Sequence, residues 1–124
     1  IAGRYSLLDQ KALEGLLPAA LERNVDIIAA GVFNSGILAN PVKGATYDYV
    51  PASDELLAKA VRIREVLDGH QVSLTSAALQ FPLRHPAVKS VLVGCRSAAE
   101  VATNIAEFDK TIENKVWDDL VSVL

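Results

Sequence analysis

The residues best suited to chemistry lie in one stretch, "VLVGCRSAAEVATNIAEF", residues 91 to 108. Gly94 closes a β-branched run, and a glycine there lets the backbone approach a ligand closely or adopt φ > 0. Arg96 supplies a cation. Ser97 opens a helix whose unpaired amides favour an anion at its start. Beyond the C-terminal end of a parallel strand, that combination suits a phosphate. The plainer alternative is a capping serine preceded by a solvated arginine. Asn104 either bonds an adenine edge through its amide or is an ordinary polar helix position. Cys95, beside Arg96 and a helix start, is placed for a lowered pKa. It has no partner base, which favours a non-catalytic role.

A second stretch, "GVFNSGILANP" at residues 31 to 41, follows an apolar run in the same way. Gly31, Asn34, Ser35 and Gly36 form a small loop whose amides and hydroxyl suit a pyrophosphate. The stretch matches neither the Walker nor the Rossmann glycine pattern, so a plain loop stays open as the alternative. Each stretch follows a successive strand, and together they weigh more than either alone. The histidines offer less: His70 follows a glycine at a helix end, where it can meet the last carbonyls. His85 lies in "RHPAV", away from the expected mouth. Tyr47 and Tyr49 either cover a ligand or shield the core. Two distant histidines without a carboxylate at ligand spacing make no metal site.

Short apolar strands alternating with amphipathic helices must position these residues. "IAGRYSLL" reads as a first strand with Tyr5 near its end. "DQKALEGLLPAALERN" reads as a helix with a stripe of Leu13, Leu16, Leu17, Ala20 and Leu21. Pro18 should kink or shorten it, and Asn24 should end it. "VDIIAAGV" has the wholly apolar pattern of a strand buried on both faces. Residues 31 to 52 read as a long loop, which in a compact domain is usually functional. "SDELLAKAVRIREVLDGH" is the clearest helix, with Ser53 as cap, Asp54 and Glu55 in its first turn and Gly69 after its end. A helix from about Ser73 to Arg84 (with Pro82 as an irregularity), a strand "VKSVLVG", a helix capped by Ser97 and a last helix carrying Trp117 complete the chain. This order predicts parallel βα units, present three times, because a parallel connection needs a crossover.

The chain has 124 residues, half of them hydrophobic, and a formal charge of −3. One domain with a real core fits that length. The acidic balance argues against nucleic acid or an anionic membrane as partner, and no apolar run approaches the roughly 20 residues that cross a bilayer. The opening residues lack the basic flank and apolar core of a secretory leader. The lone cysteine excludes an internal disulfide framework and points to a reducing, cytoplasmic setting. A chain starting with Ile fits a processed or excised piece.

"AGRYSLLDQ", "LLPAALERNVDIIAAGVFNSGILA", "ALQFPLRHPAVKSVLVGCRSAAEVATNI" and "VWDDL", in this order, resemble the aldo-keto reductase superfamily, nearest to bacterial L-fucose, D-threo-aldose and L-galactose 1-dehydrogenase types. The resemblance implies an α/β fold made of the last three βα units of a (β/α)8 TIM barrel, so that residues 1–124 form a single partial domain. It also implies an NAD or NADP cofactor bound at the barrel mouth without a Rossmann fold. The loop from Gly31 through Phe33, Asn34, Ser35 and Gly36 to Leu38 would then lie along the pyrophosphate. Gly94, Cys95, Arg96 and Ser97 would hold the adenosine end, with Asn104 facing adenine and Arg96 facing a ribose 2′-phosphate.

Two departures bear on those implications. Many NADP-preferring relatives carry a second basic residue where this chain has Glu100, which leans the cofactor toward NAD. Ala30 stands where many relatives place a tyrosine that stacks on nicotinamide. The family's Asp–Tyr–Lys–His set lies on earlier strands, so no catalytic residue carries over; Tyr5 is not that tyrosine. The implied whole protein transfers hydride between a nicotinamide dinucleotide and a sugar, aldose to lactone, or a small aldehyde. The alternative is a non-catalytic nucleotide-binding or interaction module that kept the fold. An unpaired edge on the first strand would favour self-association of the piece.

Overall fold

The computed structural model describes residues 1–124. Its central feature is a short parallel pair, β1 (Ile27–Ala30) with β4 (Val88–Leu92). A small antiparallel hairpin, β2 (Thr46–Tyr47) and β3 (Val50–Pro51), lies in the connection between them. Five helices complete the fold: α1 (Leu16–Glu22), α2 (Asp54–Gly69), α3 (Leu74–Gln80), α4 (Ala98–Phe108) and α5 (Asn114–Leu120).

The expected first strand is reduced to a single parallel bridge between Ala2 and Ala30. Its rungs are the Gly3 amide to the Ala30 carbonyl at 2.9 Å and the Ala30 amide to the Ile1 carbonyl at 2.7 Å. Residues 3–8 then bend out of the sheet plane, because Tyr5, Leu7 and Leu8 turn into the core. The apolar run that suggested a strand is a core-filling segment. Its spatial neighbours nonetheless keep the order residues 1–3, β1, β4.

Three helix boundaries also differ from expectation. The stretch expected as one helix from residue 9 divides into a 3-10 turn, Lys11–Glu14, and α1. Pro18 explains the division: it falls in the first turn of α1, where its missing amide has no intrahelical partner to lose. The expected helix from Ser73 to Arg84 likewise stops at Gln80, and Phe81–Arg84 continues as a 3-10 turn around Pro82. Gly69 lies inside α2 and does not follow it; His70 is the C-terminal cap residue, and Gln71 takes the left-handed conformation at φ 60°.

The core sits between the helices and the bent N-terminal segment. Leu7, Leu17, Ile37, Leu38, Ile63, Leu67 and Leu120 are wholly inaccessible. Tyr5, Phe81 and Trp117 stack along its side, and Arg84 covers the Trp117 ring at 4.9 Å. One face of the sheet has no cover, since Ile28 and Leu92 are 57% and 63% exposed. No helix is long and apolar enough to cross a membrane.

Candidate functional site

The two stretches singled out in the sequence meet across one groove of about 690 Å³. One wall is the loop after β1, and the other is the end of β4 with the start of α4. Gly31, Phe33, Ser35 and Gly36 line the first wall, and Gly94, Arg96, Glu100 and Asn104 line the second. The parallel register of β1 with β4 causes the meeting. Ala30 pairs with Leu92, so both strands end at the same height and both following loops open on the same side.

The first wall is a run of left-handed backbone. Asn34, Ser35 and Gly36 have φ of 46°, 63° and 114°. For a serine this region is strained, and fixed partners hold it there. Asn34 is buried: its Oδ1 accepts from the Ser6 hydroxyl at 2.5 Å and its Nδ2 donates to the Gly3 carbonyl at 3.3 Å. The Asn34 side chain therefore anchors the loop from beneath and does not face the groove. Leu38 is wholly buried in the core and does not face it either. Gly31 is required twice over, by φ 67° and because a Cβ there would lie 3.0 Å from the Gly3 nitrogen.

Ser35 is the joint between this loop and the hairpin. Its carbonyl accepts from the Thr46 hydroxyl at 2.5 Å, and its hydroxyl accepts from the Tyr49 amide at 3.1 Å. The Ser35 proton stays free to be donated. The hairpin turn, Asp48–Tyr49, has both central residues at positive φ, the type I′ arrangement usually filled by Asn and Gly. Arg4 braces it through the Asp48 carboxylate at 2.8 Å, and the Tyr47 hydroxyl donates to Asp9 at 3.2 Å. Burial, then the Asp9 charge, push the Tyr47 phenol up. Tyr49, 92% exposed, stands on the groove rim, whereas Tyr47 packs against the core.

The second wall is a charged helix start. The Ser97 side chain accepts from the Glu100 amide at 3.1 Å, which caps α4 and points Ser97 along the helix rather than across the groove. Glu100 reaches back to the Arg96 amide at 2.8 Å and takes the Arg96 guanidinium at 2.8 and 3.1 Å. That backbone bond, with the guanidinium, holds the Glu100 carboxyl below its usual range, and Glu100 in turn raises Arg96. Gly94 lies beyond the end of β4 and does not close it, and its φ is not positive. A Cβ at Gly94 would meet nothing within 4 Å, so no contact within the chain requires a glycine there. Cys95 faces the adjoining apolar groove, where the Asn104 amide meets its sulfur at 3.3 Å.

Thr75 and Thr103 also line the groove and carried no signal in the sequence. Each sits on a helix without a neighbouring glycine or a charge pattern of its own. The His70 side chain bonds Asp119 of α5 at 2.8 Å, while its backbone amide donates to the Leu67 carbonyl in the last turn of α2 at 2.9 Å. His85 accepts from the Ala87 amide at 3.2 Å and meets the Tyr5 ring edge-on. No group of three potential metal ligands exists.

Comparison with known proteins supplies the wider frame. The chain is 45% identical over 123 residues to pyridoxal 4-dehydrogenase of Microbacterium luteolum, covering 98% of this chain and 36% of that protein. It is 41% identical over 122 residues to D-threo-aldose 1-dehydrogenase of a Pseudomonas species, covering 97% of this chain and 37% of that one. The holo form of aldo-keto reductase AKR11C1 from Bacillus halodurans superposes with a TM-score of 0.76 at 25% identity, over 99% of this chain and 41% of that chain. The chain thus spans little more than a third of the length of these curated relatives, as a partial barrel would. The sequence profile described as the aldo/keto reductase family matches residues 1–124 from end to end, and the chain belongs to that family.

Proposed function

We propose that this chain is the cofactor-gripping part, the last three βα units, of an NAD(P)-dependent oxidoreductase barrel. One observation carries the reading: a single groove gathers the left-handed loop at Ser35 and the charged start of α4. The groove's donors suit a dinucleotide. Ser35 and Gly36 offer a hydroxyl and backbone at a pyrophosphate, the edge of Asn104 suits adenine, and Arg96 with Glu100 suits a ribose. A bound nicotinamide would carry the hydride. This chain's residues bind and orient it, and Tyr49 and the hairpin limit water at the rim. Proton transfer to the substrate falls to residues outside this chain.

The Arg96–Glu100 pair leans the preference to NAD. A ribose 2′-phosphate would meet a guanidinium already neutralised by its own carboxylate, whereas a free 2′-hydroxyl can donate to Glu100. The substrate class follows the relatives: an aldose oxidised to a lactone, or a small aldehyde or hemiacetal such as pyridoxal. A cytoplasmic site fits the single exposed thiol. The bare sheet face and the open edge of β4 favour self-association of the chain by itself.

Titration with NADH, read by its own fluorescence, tests the reading. Saturable binding that weakens in Ser35→Ala supports it; no binding sinks it and leaves a scaffold role. Glu100→Gln should raise NADPH affinity several-fold while leaving NADH within a factor of about three, since only the phosphate meets the removed charge.

A further inference from the structure

The groove depends on where α4 sits, and burial does not hold α4 in place. No residue of α4 is buried, and Val101, Ile105 and Phe108 on its apolar side are 44%, 57% and 41% exposed. Its fastening is polar and lies at the far end from the cap. Both Ser73, the cap of α3, and Ser76 in its first turn donate to one oxygen of Glu107, Ser76 at 2.6 Å. Ser76, wholly buried, also lies 2.7 Å from the Glu107 carbonyl. The second carboxylate oxygen takes the Lys110 ammonium at 2.6 Å. Gln80, at the end of α3, donates to the carbonyls of Phe108 at 3.0 Å and Lys110 at 2.8 Å, groups that a helix end leaves unpaired.

We propose that Glu107 is a positioning residue for the cofactor groove, clasped by Ser73 and Ser76 so that α4 presents Glu100 and Asn104 to the loop at Ser35. The role rests on the dinucleotide reading above. Helical spacing connects the clasp to the groove: Glu100, Asn104 and Glu107 fall at i, i+4 and i+7, one face of α4. The first turn of α3, capped by Ser73 and carrying Ser76, also carries Thr75, which lines the groove. The two helices are therefore pinned one turn away from the surface they jointly build. Hydroxyls donating to a carboxylate are among the stronger hydrogen bonds, and here they replace the apolar packing that α4 lacks. Lys110, then Ser73 and Ser76, hold the Glu107 carboxyl down to about 2, so it is fully ionised wherever the protein works.

Glu107→Ala, Glu107→Gln and Ser76→Ala test the assignment, read by amide hydrogen exchange without cofactor and by NADH titration. Glu107→Ala should speed exchange across residues 98–108 more than tenfold, leave α2 and α5 at their wild-type rates, and weaken NADH about tenfold. Glu107→Gln keeps an acceptor and should recover part of both losses. Ser76→Ala, which removes one hydroxyl without touching the charge, should show the same pattern in smaller measure. Wild-type exchange and affinity in Glu107→Ala overturn the assignment. So does equal acceleration in α2, α4 and α5, which marks a contribution to global stability alone. Absence of NADH binding in the wild type overturns the oxidoreductase reading, and the role of Glu107 with it; normal wild-type binding with unaltered variants overturns only the latter.

Discussion

Helices α2 and α4 begin alike and end up in opposite environments. Each has a serine cap whose side chain accepts from the amide three residues on, and each has an acid in its first turn. Yet α2 buries Ala60, Ile63 and Leu67 completely, whereas α4 buries nothing. The difference is one of partners. The stripe of α2 meets the bent N-terminal segment, α3 and α5 within this chain. The stripe of α4 faces an apolar groove beside β4, lined by Leu79, Leu83 and Val91, that no further element fills. Amphipathicity fixes which face of a helix seeks burial, and the rest of the chain decides whether it finds any. In this molecule the stable scaffold and the groove-lining helix are held by different forces.

The largest expected effect tests the scaffold half of that contrast. Leu67→Ala removes a wholly buried side chain from the centre of the core and should lower stability by about 2–5 kcal/mol in urea unfolding. Cooperative loss of signal from Trp117 should report it, since Trp117 belongs to the same cluster.

A second substitution acts at the join between scaffold and site. Gly31→Ala places a methyl group 3.0 Å from the Gly3 nitrogen on a backbone at φ 67°. A strained left-handed residue costs about 1–3 kcal/mol before the contact is added. Either the bridge at Ala2 or the loop at Ser35 must yield. The expected result is a measurable drop in the unfolding midpoint together with faster exchange at Gly3 and Ala30, whose amides span the bridge.

Those two positions also mark how far the sequence could be read. The stripe, cap and first-turn acids of α2 are local, so its existence followed from spacing alone. The first strand did not follow, because an apolar run such as "RYSLL" serves equally as a strand or as a bent segment that drops its side chains into a core. Tertiary packing chose the second. The hairpin at residues 46–51 was hidden for a related reason: Asp48 and Tyr49 occupy turn positions that normally announce themselves with Asn-Gly. The two walls of the groove were legible where a glycine or a charge follows a strand end, at Gly31–Gly36 and Gly94–Glu100. It was illegible where a residue lines the groove only because two helices cross, as with Thr75, Thr103 and the clasp at Glu107.

Acid should separate the two regions without any mutation. The Glu107 carboxyl ionises near 2 in the folded chain against an ordinary 4.5, so the folded state binds fewer protons than the unfolded one between those values. Its stabilisation is complete above about pH 4.5 and is lost as pH falls toward 2. Protection of the α4 amides, taken relative to the intrinsic exchange rate at each pH, should therefore fall across that window before protection in α2, whose buried Ala60, Ile63 and Leu67 are apolar and indifferent to protonation. Simultaneous loss of both helices would erase the distinction drawn between them.

The smallest effect is the sharpest statement of the contrast. Ile105→Ala removes the same kind of side chain as Leu67→Ala, but from a position 57% exposed on α4. Little area is returned to water, no cavity forms, and alanine is the better helix former. The stability of this chain should change by no more than about 0.5 kcal/mol in urea unfolding. A cost comparable to that of Leu67→Ala would mean that the face of α4 is covered in solution, as self-association through that groove would do. Repeating the measurement at tenfold lower protein concentration then decides the matter: a cost that fades on dilution comes from a second copy, and one that persists comes from packing within the chain.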